Sequence, residues 1–168
     1  MYKQGFKTQK NGVLVKLNID VDEKEIRKGF FSPINNLVNG YIHEGIRMGS
    51  ILRLQDPFNF LISQEIHQKL IKEKITGWKA FRVIIKDRDE IYFCFQITGK
   101  CGVLERPIKS GFITGMEFDK STWDGSDIFS PKKTMSMFCN EKVKKIFEES
   151  NIVNIEFKNI KKVRWYNA

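Results

Sequence analysis

Val13, Val15, Leu17, Ile19 and Val21 alternate with Leu14, Lys16, Asn18 and Asp20, the period-two pattern of a strand with one buried face. Asp22 to Lys28 reads as a short helix with Asp22 as N-cap and Gly29 as its stop. Phe30 to Gly49 has no clear period: Ser32-Pro33 interrupts it, and Tyr41 to Met48 is expected to form a second strand. Beyond it the pattern sharpens. Phe60-Leu61-Ile62 is an apolar lead-in, Ser63 stands as N-cap, and Glu65 lies in the first turn, where the helix dipole favours it. Ile66, Leu70 and Ile71 make one helical stripe, which should end near Lys74. Ile75-Thr76-Gly77 follows as a turn, with Gly77 free to take a positive φ, and Trp78 to Ile85 reads as a strand.

The same grammar returns 77 residues later without a gap. Ser63-Gln64-Glu65-Ile66 falls on Asn140-Glu141-Lys142-Val143, Lys69-Leu70 on Ile146-Phe147, Ile75 on Ile152 and Trp78 on Ile155. Met137-Phe138-Cys139 is the second lead-in, Asn140 the cap, and Val143, Ile146 and Phe147 the stripe. Asn151 is the expected stop, Ile152 to Asn154 the turn, and Ile155 to Val163 a strand. Asp56-Pro57-Phe58 precedes the first copy and Asp127-Ile128-Phe129 the second, the latter standing six residues further upstream. Between the copies, Ile91 to Ile97 is the clearest strand, with Ile91, Phe93, Phe95 and Ile97 on one face. Lys86 to Glu90 joins it to the preceding strand as a polar hairpin. Phe112 to Phe118 is expected to be a further strand, and Asp119 to Asp127 a polar loop carrying Trp123. The sum is an α+β fold: a mostly antiparallel sheet with two helices in equivalent positions from an internal duplication. The expectation is a single domain over residues 1–168, with repeat units at roughly 56–86 and 127–163.

A chain of 168 residues buries roughly 70% of its unfolded surface, so a core can form without metal or disulfide. Fourteen Phe and an apolar share of 41% supply that core. The opening stretch Met1 to Lys7 carries no apolar h-region. No apolar run approaches the roughly 18 residues of a spanning helix, so a cytoplasmic protein without a membrane partner is expected. Cys94, Cys101 and Cys139 cannot all pair within the chain, as expected of reduced thiols. Net charge is +9, which admits nucleic acid, a membrane surface or an acidic protein as partner and selects none. Nine Lys/Arg against four acids between Lys132 and Arg164 concentrate +5 near the C-terminal end.

Candidate chemistry is sparse. A metal site needs several converging ligands, whereas His43 and His67 are the only histidines, and Cys94 and Cys139 read as small buried hydrophobes. Nucleophilic catalysis wants Cys or Ser beside a His and an orienting acid, and neither histidine stands in such a signature. Asp87, Glu90 and Lys100 do not share one strand, as a metal-dependent nuclease would require, and Gly111 to Gly115 lacks the spacing of a phosphate loop. No catalytic residue, cofactor or metal is expected. A nucleic-acid module would combine the basic stretch with Trp165 and Tyr166 as stacking surfaces. Lys144 and Lys145, however, flank Val143 and Ile146 as the wet side of an amphipathic helix does.

With the repeat laid out, the chain resembles the immunity proteins of bacterial polymorphic toxin systems, in the related groups numbered eleven and forty-three. The likeness rests on Leu61-Ile62-Ser63-Gln64-Glu65-Ile66, Leu70 and Ile75-Thr76-Gly77-Trp78, and on Asp127-Ile128-Phe129 ahead of a second copy from Asn140 to Phe157. It covers about Asp56 to Val163. Asn140 replaces the expected Ser and Asn154 the expected Gly; Asn caps helices well and tolerates left-handed backbone. The paired-cysteine zinc motifs of some relatives are missing. The resemblance implies a cytoplasmic protein that binds and neutralises a cognate toxin, with no catalytic residues of its own. Occlusion through a few aromatic or Arg anchors is the expected mode, and the positive charge favours an acidic or neutral toxin face. Loop and terminal position make Trp123, Asp124, Arg164 and Trp165 the candidate contact residues, with ordinary packing and solvation as their other reading. A basic nucleic-acid-binding module is the alternative function.

Overall fold

The computed structural model describes residues 1–6, 14–27, 33–55, 59–109, 112–134, 136–152 and 154–166. In chain order its strands are β1 (Tyr2–Phe6), β2 (Lys16–Ile19), β3 (Leu37–Glu44), β4 (Ile51–Leu54), β5 (Phe60–Ser63), β6 (Trp78–Ile85) and β7 (Tyr92–Ile97). Then come β8 (Gly99–Val103), β9 (Ile108–Lys109), β10 (Phe112–Thr114), β11 (Ile128–Lys132), β12 (Phe138–Cys139), β13 (Ile155–Asn159) and β14 (Arg164–Tyr166). The α-helices are α1 (Glu23–Arg27), α2 (Gln64–Lys72) and α3 (Glu141–Glu149). The chain forms two compact units, one of Thr8–Lys74 and Lys79–Gln96, the other of Met1–Lys7, Ile75–Trp78 and Ile97–Ala168.

The first is a barrel closed in the order β2-β3-β6-β7-β5-β4. Alternation along each strand sends Leu17, Ile19, Val38, Leu52, Leu54, Val83, Ile85 and Cys94 into one buried cluster, as period-two strands of a small barrel must. The second unit holds a sheet in the order β13-β1-β12-β11-β8 and a smaller one in the order β14-β10-β9. Its core gathers Cys101, Leu104, Met116, Phe129, Phe138 and Ile160, with the Phe129 and Phe138 rings edge to face at 5.9 Å. The α+β class stands. Most strand pairs are antiparallel, as expected, but the barrel and the five-stranded sheet are mixed, because β2-β4, β3-β6 and β8-β11 pair in parallel. Connections that cross over instead of turning back bring strands together with the same polarity.

Positions 77 apart share local geometry over a longer span than the sequence pattern marks. α2 and α3 have nine residues each, 64–72 and 141–149. Both end on a C-cap followed by a left-handed residue, Lys74 at φ 53 and Asn151 at φ 51. The closing bonds also match: Glu73 N to Lys69 O and Lys74 N to Ile71 O in one, Ser150 N to Ile146 O and Asn151 N to Glu148 O in the other. Upstream, β4 pairs β5 as Ile51 with Ile62 and Leu52 with Leu61; β11 pairs β12 as Ile128 with Cys139 and Phe129 with Phe138. Ser63 N donates to Ser50 O, and Asn140 N to Asp127 O. In this register Ile128 and Phe129 take the places that Ile51 and Leu52 take in the first hairpin; Asp56-Pro57-Phe58 lies outside the described residues. Each helix also bridges two strands that flank a third, β5 and β6 around β7, and β12 and β13 around β1.

Other boundaries move for physical reasons. The second strand is Leu37–Glu44 rather than Tyr41 to Met48, because β6 takes its Leu37-to-Gly40 segment as a parallel partner. The Phe112 strand stops at Thr114, where Gly115 turns at φ 80. The Ile155 strand ends at Asn159, whose side chain accepts from Lys161 N and starts a 3-10 turn before β14. Val13 and Gly29 lie outside the described residues. Ile66 and Leu70 are buried, while Ile71, 100° further round the helix, is 57% exposed. Gly77 takes the positive φ expected of it, at 86°, but Asn154, 77 residues on, does not share it. Asp22 caps α1 through Lys24 N at 2.7 Å.

The two helix caps differ. The Asn140 side chain accepts from Val143 N at 3.0 Å; Ser63 occupies the N-cap but makes no side-chain cap bond, and its buried hydroxyl has no partner. Asn140→Ala should therefore cost about 1 kcal/mol, whereas Ser63→Ala should lie near zero. Urea unfolding of both variants checks this, and equal losses would refute the difference.

Candidate functional site

Ile75-Thr76-Gly77-Trp78, Asp127-Ile128-Phe129 and Asn140 meet within the second unit. Asp127 Oδ2 accepts from Thr76 N at 2.9 Å and from the Thr76 hydroxyl at 3.0 Å. Its Oδ1 accepts from the Asn140 side-chain amide, so the residue that caps α3 is itself held. Ile128 N donates to Thr76 O at 3.1 Å. A Cβ on Gly77 would collide with the carbonyl of Ile128 and with Ser126, so this approach requires glycine besides the positive φ. Trp78 closes the turn by donating its indole N–H to Ile75 O at 2.8 Å. These groups are spent on one another.

Trp123 and Asp124 lie in the loop before β11, and both are engaged inside the unit. The Trp123 ring packs 5.4 Å from Phe129, and its indole N–H donates to Ser126 O at 3.1 Å. Asp124 Oδ2 accepts from Lys100 N at 2.7 Å, while Thr122 Oγ1 accepts from Gly102 N at 2.8 Å. The loop thereby occupies donors along the edge strand β8, one way of protecting an open sheet edge. Burial pushes the Asp124 carboxyl up, but hydrogen bonds from Ser126 and Lys100 outweigh it and hold the pKa below the usual range. Arg164 is exposed, pairs with Thr114 on β10, and lies 4.6 Å over the Phe112 ring. Trp165 pairs with Ile113 along the β10-β14 ladder. The geometry thus gives Trp123 and Asp124 a packing role and leaves Arg164 at the surface.

The basic stretch is less bare than its composition. On α3, Lys144 lies 3.2 Å from Glu141 and 3.5 Å from Glu148, and Lys145 lies 3.7 Å from Glu149. Tyr2 hydrogen-bonds to Glu141, which raises the phenol pKa and lowers that of the carboxyl, and the Lys144 ammonium lies 4.7 Å over the Tyr2 ring. A cavity of about 570 Å3 in this unit mixes Met116 and Phe118 with Glu117, Lys120 and Lys161. In the barrel unit, the His67 ring stacks on Phe93 at 3.7 Å and 3°, and burial lowers its pKa. Cys94, Cys101 and Cys139 are buried free thiols. Burial pushes Cys139 up to about 12, and burial followed by the Asp124 charge raises Cys101. Among the described residues, no group of three or more His, Cys, Asp or Glu could hold a metal ion. Nor is any helix there long and apolar enough to cross a membrane.

Comparison with known proteins finds no match: no family model matches the chain, and no curated protein is similar to it in sequence.

Sequence reasoning missed the Asp127–Thr76 contact, although both motifs were visible; a turn and a loop 51 residues apart carry no local sign that they meet. It also missed the outward residues of β3 and β6. Asp127→Ala removes the acceptor of the Thr76 and Asn140 donors at a site still open to water, so it should cost about 1 kcal/mol. A loss below 0.5 kcal/mol in urea unfolding would show that the contact is incidental. With the thiolate disfavoured by burial, the native protein should resist a disulfide exchange reagent at pH 8 and release three thiols only on unfolding. Rapid reaction of the native chain would contradict the burial.

Proposed function

We propose that the chain is a cytoplasmic immunity protein that binds a cognate bacterial toxin and neutralises it by occlusion, without catalysis of its own. The observation that carries this reading is the mutual packing of the two motif segments behind the likeness. Asp127 receives Thr76, and Gly77 lies against Ile128. Motifs whose polar groups are consumed in folding mark a scaffold, and a scaffold of this kind acts through its remaining surface. The net charge of +9 favours a partner with an acidic or neutral face, because opposite potentials steer encounter.

The scaffold itself is proposed to descend from an internal duplication. Its support is the common offset of 77 in helix bounds, left-handed stops and hairpin register. The duplication has one exchanged element: β7 completes the sheet around α2, and β1 completes the sheet around α3. In the alternative function, a nucleic-acid module, exposed lysines near the C-terminus would contact phosphate. The lysine–glutamate pairs on α3 favour the protein partner over it.

Co-expression with the toxin domain encoded by the adjacent upstream gene tests the proposal. A stoichiometric complex that survives purification, together with rescue of growth, is expected. No complex and no rescue, with nucleic-acid affinity that falls steeply with salt, would overturn it in favour of the alternative.

A further inference from the structure

Resting on that reading, we infer that the partner docks on the outer face of the barrel across β2, β3 and β6, and presents there an apolar patch rimmed with carboxylates. The barrel interior takes Leu17, Ile19, Val38, Val83 and Ile85, so the alternate residues of the same strands point outward. Three of these are large and apolar: Leu37 is 41% exposed, Tyr41 50% and Ile84 46%. The ladder sets them close together. Leu37 is the direct neighbour of Arg82 and Asn39 of Ile84, while Tyr41 is opposite Asn18, whose amide donates to the Tyr41 hydroxyl at 3.3 Å. These side chains share one outward sheet face with Arg82, and Tyr and Arg are the residues that most often anchor an interface.

The charge around the patch chooses the occupant. Arg53, Arg82 and Lys86 are exposed, and none of their side chains makes a hydrogen bond, ion pair or ring contact among the described residues. Lys16 is offset by Glu44 at 3.9 Å. Unpaired cations around aliphatic side chains call for carboxylates around a complementary apolar surface, which describes a protein. A nucleic-acid strand would need further aromatic faces for its bases and a longer track of cations for its phosphates; Tyr41 alone, beside Leu37 and Ile84, offers neither. A second copy of this chain is disfavoured because a two-fold pairing of the same patch sets Arg82 and Arg53 against their own kind.

The test measures binding of the toxin domain encoded upstream to full-length wild type, Arg82→Glu, Ile84→Asp and Tyr41→Ala, with Lys162→Glu in the second unit as control. Thermal melting of each variant verifies folding, which outward positions should leave near wild type. Each of the three face variants is expected to weaken binding roughly tenfold or more, with Lys162→Glu unchanged. If wild type binds and the folded face variants bind as tightly, this face is not the site, while the toxin reading survives. Failure of wild type itself to bind would overturn both. Binding of poly(U) or duplex DNA that is lost in Arg82→Glu, or dimerisation of wild type that is lost in Ile84→Asp, would replace the protein partner by nucleic acid or by a second copy.

Discussion

The carboxylate of Asp127 fixes how the second unit is threaded. One oxygen takes both the backbone N–H and the hydroxyl of Thr76, and the other takes the amide of Asn140. The turn before β6, the start of β11 and the cap of α3 are thus set by a single side chain. Gly77 and Gly99 make room for it: a Cβ at either position would strike the Ile128 carbonyl, and both Thr98 N and Gly99 N donate to Gly77 O. Networks of this kind are strong only when complete, because each donor left without its acceptor costs more than the bond itself contributes. The same completeness leaves these residues nothing with which to bind a partner.

Under the proposed duplication, the two copies keep their hairpin register and helix stops but diverge where packing differs. Ile71 stays exposed in the first copy, while Glu148 occupies the equivalent place in the second. Ser63 has no work as a cap, although Gln64 N, one residue on, finds the Ile91 carbonyl; Asn140 caps α3 directly.

What was legible in the sequence is what is encoded locally. Caps, stripes, the Gly77 turn and the alternation through Leu17 and Ile19 depend on neighbours within a few residues, and the bounds of α2 and α3 follow from them. Barrel closure, the parallel pairs and the placement of β1 between β12 and β13 depend on partners far apart in the chain, for which no local pattern exists. Trp123 looked like a surface residue because its loop is polar, yet Phe129 and the β8 edge draw the loop inward. Leu37, Tyr41 and Ile84 escaped notice for the opposite reason. Their outward position is defined by what Val38, Val83 and Ile85 do inside the barrel, and the Phe30 to Gly49 stretch shows no clean period.

Under the proposed function, the residues that recognise the partner are distinct from the buried and hydrogen-bonded residues that fold the repeated unit. Hydroxyl-radical footprinting of the chain, free and saturated with the proposed toxin partner, reads this division directly at side chains. The account predicts that oxidation of Leu37, Tyr41 and Ile84 falls on complex formation while that of Val103 and Ile71, exposed elsewhere, does not change. Undiminished oxidation of Leu37, Tyr41 and Ile84 in a saturated complex would contradict it.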